Sequence, residues 1–129
     1  MPRRVSTFLM FEGQAEEAIR FYAGLLDGSL EGVEHHPPGS PVEGKLSAAV
    51  LTIAGHRIMA FDSPVHHQFS FTPAISLLVD FETAEELDRA AKALGEGGSV
   101  MMELQAYDFA RRFTWLEDRF GVSWQLRLE

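Results

Sequence analysis

The chain contains no cysteine. Disulfides, thiol nucleophiles and every thiolate-bound metal are therefore excluded, and the composition suits a reducing compartment without demanding one. Long apolar runs are missing as well, since no stretch approaches the ~18 apolar residues that a membrane span needs. The start, Met1-Pro2-Arg3-Arg4-Val5, is basic but is not followed by an apolar run with a small-residue cleavage site, so no secretory signal is expected. Basic side chains are scarce: 11 Lys and Arg stand against 19 Asp and Glu, a formal net charge of −8. A surface this acidic repels phosphate backbones and anionic lipid, which makes nucleic acid and membrane poor partners. There is no glycine-rich strand-to-helix turn of the kind used for dinucleotides or S-adenosylmethionine, no phosphate loop and no Ser-His-Asp order. The expectation is a soluble, cytoplasmic protein.

What is present is an ordinary globular composition, 46% apolar and 23% charged over 129 residues, enough for one domain with a real core. It also holds a repeat. Phe11-Glu12-Gly13-Gln14-Ala15-Glu16-Glu17-Ala18-Ile19-Arg20 is echoed by Phe81-Glu82-Thr83-Ala84-Glu85-Glu86-Leu87-Asp88-Arg89. Ala15, Glu16, Glu17 and Arg20 fall on Ala84, Glu85, Glu86 and Arg89 at an offset of 69 residues, and Gly28 falls on Gly97. Both segments carry apolar residues at helical spacing, with acids in the first turn and glycine as the stop. Thr83 with Glu86 makes a capping-box pattern. Strand-like runs precede each helix, at 5–11 and 74–81. Further strands are read at 46–53, at 57–61 after the turn Ala54-Gly55-His56, at 100–104, at 113–116 and at 122–128. Glu34–Gly44, with Pro37, Pro38, Gly39 and Pro41, reads as a loop, and Ser63–Thr72 as a linker. The chain is thus expected to be a single domain, 1–129, of internal modules about 1–64 and 73–129.

Three blocks carry a resemblance beyond this pattern: Phe11-Glu12-Gly13-Gln14-Ala15-Glu16-Glu17-Ala18 with Phe21-Tyr22; Ala74-Ile75-Ser76-Leu77-Leu78-Val79; and Trp115-Leu116-Glu117-Asp118-Arg119-Phe120-Gly121-Val122-Ser123-Trp124-Gln125. With them the chain resembles the vicinal oxygen chelate superfamily of glyoxalases, extradiol dioxygenases and bleomycin resistance proteins. Within it the closest likeness is to the PhnB-like family, often labelled a 3-demethylubiquinone 3-methyltransferase domain. Residues 30–45 and 99–112 fit worst. The resemblance implies an α+β fold of two βαβββ modules forming a curled mixed/antiparallel sheet cup around a small-molecule cavity, usually in a homodimer. It also implies a divalent metal in relatives that use one. The matching ligand positions here are Thr7, a place near Phe61, Ala74 and Gln125. Two of these four cannot bind an ion, so no metal and no other cofactor is expected. The methyltransferase label has no glycine-rich turn to support it.

Strand alternation sorts the remaining candidates. Phe8, Met10, Ile58, Ala60, Ile75, Leu77, Val79, Val122, Trp124 and Leu126 share one parity and read as the face beneath the helices. The other parity mixes polar and apolar groups, as binding cavities do. From it come the expected cavity residues Thr7, Leu9, Phe11, Met59, Phe61, Ser76, Leu78, Ser123, Gln125 and Arg127. Trp115 at the mouth and Tyr107 from the unplaced stretch are added to them. His35, His36, His66 and His67 fall in expected loops and His56 in a turn, with a site built from His67 and a distant carboxylate as the sharper alternative. No catalytic residue is singled out. Three functions stay open: a metal-free binder of a small molecule, an enzyme acting on a small oxygen-bearing metabolite, and a structural homodimer with a vestigial cavity.

Overall fold

Two helical periodicities, each bracketed by β-branched and aromatic runs, become two copies of one topology. The computed structural model describes residues 1–129. The first copy runs β1 (Thr7–Phe11), α1 (Ala15–Leu25), β2 (Ser29–His35), β3 (Leu46–Ile53), β4 (His56–Asp62). The second runs β5 (Leu77–Asp80), α2 (Ala84–Gly95), β6 (Ser99–Tyr107), β7 (Ala110–Glu117), β8 (Ser123–Leu128). Each forms its own four-stranded mixed sheet, in the orders β1-β4-β3-β2 and β5-β8-β7-β6. In each, the first strand lies parallel to the last and the other pairs are antiparallel. This is the expected α+β pair of βαβββ modules. The chain divides into two compact units, residues 1–68 and 69–129.

In the first unit, α1 buries Ala15, Ala18, Ile19 and Tyr22 over β3 and β4. The sheet answers with Leu9, Phe11, Leu51, Ile58 and Ala60. Gln14 gives α1 no side-chain cap. The carboxylate of Asp62, at the end of β4 and 1% exposed, takes that role from across the sheet. Its Oδ1 accepts from the amides of Gly13 at 2.7 Å and Ala15 at 3.0 Å, and its Oδ2 from that of Leu46 at 3.1 Å. Free first-turn amides favour an anion in this way. The β3–β4 hairpin closes on two residues, Ala54 and Gly55, both at positive φ (48° and 85°), with Ile53 opposite His56. His56 therefore begins a strand rather than sitting in the turn.

Strand β2 is an element the sequence does not announce, and it takes Glu34 and His35 from the expected loop 34–44, whose remaining residues form turns. Acids on an edge strand and a bulge between Glu31 and Glu34 hide the alternation. Gly32, at φ 63°, lies in that bulge.

In the second unit, Thr83 caps α2 as the sequence pattern predicts. Its hydroxyl accepts from the Glu86 amide at 3.2 Å and donates to the Glu86 carboxylate at 3.0 Å. Leu87, Ala90 and Leu94 pack over the sheet, which presents Leu116, Trp124 and Leu126. Asp118 shapes the β7–β8 turn, accepting from the amides of Phe120 and Val122 and from Trp124 Nε1. The unplaced stretch 99–112 is the β6–β7 hairpin, its pairing broken by three register shifts.

The repeat is not uniform. Phe81-Glu82 follows Phe11-Glu12 by 70 residues, whereas Ala84 follows Ala15 by 69. The first unit therefore has one extra residue between strand and helix, at Gly13-Gln14, where Gly13 takes φ 123°. The spacing of 70 returns after the helices. Asp27 (φ 52°) corresponds to Gly97 (φ 75°), and Gly28 corresponds to Gly98. A Cβ at Gly28 would stand 3.0 Å from the Thr52 carbonyl oxygen, and one at Gly98 would stand 2.0 Å from that of Glu117.

Candidate functional site

Each sheet has one face under its helix and one open face, and the strand register assigns the residues to them. In the second unit Leu77 pairs with Trp124 and Val79 with Leu126 on the helix side. Leu78 pairs with Gln125 and Asp80 with Arg127 on the open side. Trp115 faces Gln125, and Glu117 faces Ser123, across β7 and β8. Residues directly opposite in a ladder share a face. Ser76, Leu78, Trp115, Ser123, Gln125 and Arg127, all expected cavity residues, thus lie on one face.

Four of them form one hydrogen-bonded chain. Trp115 Nε1 donates to Ser123 Oγ at 3.0 Å. Ser123 and Ser76 share a hydrogen bond of 2.6 Å between their hydroxyls. Gln125 Nε2 donates to Ser76 Oγ at 3.4 Å. An indole nitrogen only donates, so the polarity is fixed at the Trp115 end. Ser123 is 3% exposed and its oxygen is satisfied, while Ser76, Trp115 and Gln125 are half-buried. Leu78, 48% exposed, adds an apolar neighbour.

Arg127 is a bidentate partner of Asp80, with distances of 2.6 and 3.2 Å, and also reaches Glu129 at 3.4 Å. The hydrogen bond from Arg127, with its positive charge, holds the Asp80 carboxyl below the usual carboxylate range, and the same bond raises Arg127. Tyr107 stacks on Phe109 and meets Phe113 edge-on, while its hydroxyl donates to the Glu103 carbonyl. Phe113 pairs with Arg127 and so belongs to the open face. The sequence reading missed it, although its even spacing from Trp115 was the available signal. Glu117 was missed in the same way.

The first unit reverses the expected parity of β1. Leu9 pairs with Ala60 and Phe11 with Asp62, and all four are buried under α1. Phe8 and Met10 take the open face, opposite Met59 and Phe61. Phe8 is 60% exposed and meets Phe61 edge-on, with ring centroids 5.4 Å apart. The extra residue at Gly13-Gln14 is the cause. Carrying the helix offset of 69 back into the strand shifts it by one, and one residue turns every side chain to the other face. Thr7 pairs with Ile58, so it lies on the helix side at the sheet edge, where its hydroxyl shares a 2.8 Å hydrogen bond with His56 Nε2.

The histidines of this unit have partners of their own. His66 Nδ1 donates to Glu12 at 2.7 Å and His35 Nε2 to Glu16 at 2.7 Å. His36 Nε2 donates to the Asp62 carbonyl, and His67 Nε2 bonds to Ser63 Oγ. The His66 bond, followed by the His67 amide, lowers the Glu12 pKa. The His35 bond, followed by Arg20, lowers that of Glu16.

The donor set does not fit a divalent ion at the expected positions. Thr7 faces the wrong way, Phe61 and Ala74 offer no donor, and Gln125 is an amide already bonded to Ser76. No group of three or more His, Asp or Glu is gathered for a metal. On the opposite, helix-bearing side of the second unit, a groove of about 330 Å³ runs between α2 and β6, lined by Ala91, Lys92, Val100 and Leu104 among others. None of the expected site residues borders it.

Comparison with known proteins places these features in a family. Residues 3–127 match the family described as 3-demethylubiquinone-9 3-methyltransferase. A solved structure from Bacillus cereus, described as a putative 3-demethylubiquinone-9 3-methyltransferase, PhnB protein, is 43% identical. The match covers 98% of this chain and all of that one, with a TM-score of 0.94. Protein YjdN of Escherichia coli K12 is 26% identical over 96% of this chain and 94% of its own. A glyoxylase/bleomycin resistance protein/dioxygenase domain from Frankia shares the fold at 15% identity, with a TM-score of 0.68 over 99% and 93% of the two chains.

Proposed function

The chain belongs to the family described as 3-demethylubiquinone-9 3-methyltransferase, a PhnB-like branch of the vicinal oxygen chelate superfamily, and from that membership we propose that it binds a small oxygen-bearing molecule on its open sheet faces without a resident divalent metal. The observation that carries the reading is the Trp115–Ser123–Ser76–Gln125 chain. It lines up polar groups from β7, β8 and the approach to β5 beside exposed apolar side chains. A few placed hydrogen-bonding groups in apolar surroundings are the makeup of a ligand site. The chemistry of the ligand positions supports the metal-free part.

Methyl transfer, which the family description names, draws no support from either helix N-terminus. Asp62 takes the Ala15 amide at the start of α1 and that of Gly13 just before it, Thr83 takes a first-turn amide of α2, and neither joint is the glycine-rich turn that cradles a nucleotide-like group. Assembly as a homodimer in the cytoplasm belongs to the same proposal. Val5 and Ile75, both largely exposed apolar residues, lie just before the edge strands β1 and β5. Light scattering is expected to give twice the chain mass, and a monomer at micromolar concentration removes that part.

Binding is tested by titrating a panel of 2-oxo acids, hydroxy acids, phenols and polyols while following thermal stability and the Trp115 indole N–H resonance. At least one compound should raise the melting temperature and move that resonance, and Gln125→Ala should weaken both effects. If no compound does either, the binding reading fails. A stoichiometric divalent ion in protein purified without chelators would overturn the metal-free reading.

A further inference from the structure

The open face of the second unit holds one carboxylate that nothing engages. Glu117 ends β7 directly opposite Ser123, half-buried, with no hydrogen bond or ion pair to its side chain. The cation of this face is already committed, since Arg127 is tied to Asp80 and Glu129. Arg119, near in sequence, lies over the Phe120 ring at 4.5 Å.

The donors and acceptors beside Glu117 can be counted. Ser123 Oγ accepts from Trp115, Ser76 Oγ accepts from the Gln125 amide, and either hydroxyl can donate along the bond the two serines share. That bond uses one of their two hydroxyl protons, so the pair keeps one for a ligand. Gln125 Oε1 is an acceptor with no partner. The face therefore offers one hydroxyl donor and two kinds of acceptor, one of them charged.

We propose that Glu117 sets the specificity of this face, which selects a neutral or cationic ligand bearing a hydroxyl or ammonium donor and disfavours an anion. The inference rests on the open-face binding reading above. Its ligand donates to the Glu117 carboxylate and to Gln125 Oε1 and accepts from the free hydroxyl of the Ser76–Ser123 pair. A carboxylate or phosphonate in the same place meets Glu117 with like charge and leaves Gln125 Oε1 without a donor.

The test uses three probes of one shape and different charge: benzylammonium, benzyl alcohol and benzoate. Each is titrated into the ¹⁵N-labelled full chain, with the Trp115 indole N–H as reporter. The Trp124 indole N–H, bonded to Asp118 within the core, serves as the internal control. Benzylammonium and benzyl alcohol are expected to shift Trp115 and leave Trp124 still. Benzoate should bind at least about fivefold more weakly than benzylammonium, the size expected of one partly exposed charge. Glu117→Gln, whose dispersed spectrum verifies folding, should bring the three affinities together. If benzoate binds as tightly as benzylammonium, or if Glu117→Gln leaves the order unchanged, the specificity role is overturned while the binding face stands. If none of the probes moves Trp115, the binding reading itself fails and the inference falls with it.

Discussion

Replacing Asp62 tests whether a carboxylate from the last strand of the first unit holds its first helix in place. The side chain is 1% exposed and accepts three backbone amides, from Gly13, Ala15 and Leu46. Hydrogen bonds to a charged acceptor contribute about 1.5–3 kcal/mol each. Three would sum far above what one residue supplies, because burying the carboxylate itself costs several kcal/mol. Asp62→Ala removes the acceptor and strands two buried N–H donors and one half-buried one, so a loss of about 3–5 kcal/mol is expected. Asp62→Asn keeps one oxygen but turns an NH₂ toward an amide that also donates, and about 2–3 kcal/mol should be lost. At roughly 3–5 °C per kcal/mol for a chain of this size, the alanine variant should melt about 10–20 °C lower.

Urea titration should be followed by far-ultraviolet circular dichroism as well as fluorescence. Both tryptophans, Trp115 and Trp124, lie in the second unit, so fluorescence alone would not report α1. If residues 1–129 unfold as one domain, the two probes give coincident transitions. A loss below about 1 kcal/mol in Asp62→Ala would refute the assigned role, because the amides would then have found other partners.

Three further outcomes follow from local geometry. Ala54 sits at φ 48° in a two-residue hairpin turn, so Ala54→Asn or Ala54→Gly should stabilise by about 0.5–1 kcal/mol in urea titrations, and destabilisation would contradict the turn. A Cβ on Gly98 would overlap the Glu117 carbonyl oxygen. Gly98→Ala should therefore cost at least about 2 kcal/mol, whereas Gly95→Ala, with open space at its Cβ, should be neutral or slightly stabilising, as parallel melts will show. Glu12 and Glu16 have folded pKa values below their ordinary 4.5 because His66 and His35 donate to them. Their stabilisation is complete above that value and lost as pH falls through the lower, folded one. Glu12→Gln and Glu16→Gln should therefore lose this contribution near neutrality, flatten the acid limb of stability below pH 4.5, and leave stability at low pH little changed.

The helices, the cap of α2 and six of the strands could be read directly because their periodicity is strong and their stop signals are local. Thr83 and Glu86 announced the second cap, and Ala54-Gly55 announced the hairpin. Two strands escaped for different reasons. β2 is a charged, bulged edge strand whose residues face water, so it carries no alternation to find. β6 was traced only in part, because three register shifts break its pattern. Of the candidate site, the second-unit residues Ser76, Leu78, Ser123, Gln125 and Arg127 share one face as parity groups them, and Trp115, added to them separately, lies on it too. Leu9 and Phe11 were placed on the wrong face, although Phe11-Glu12 and Phe81-Glu82 stand 70 residues apart rather than 69. Asp62 as a cap for α1 was beyond local reading, because its partners lie 47 and 49 residues away.

The single extra residue between β1 and α1 makes the two halves unequal as exchangeable parts. Where the first half ends its last strand on Asp62 beside Phe11, the second has Leu128 beside Phe81. A chimera crossing over at Ala15 and Ala84, where the two sequences look most alike, would carry the longer joint into a half with no carboxylate to close it. The reverse chimera would leave Asp62 facing a joint too short to fill its oxygens. A crossover at Phe11 and Phe81 keeps each joint with its own closing group, whereas one at Gly28 and Gly98 parts them, because Asp62 lies beyond Gly28. Recombination between duplicated copies would leave both joints closed only at the first of these seams.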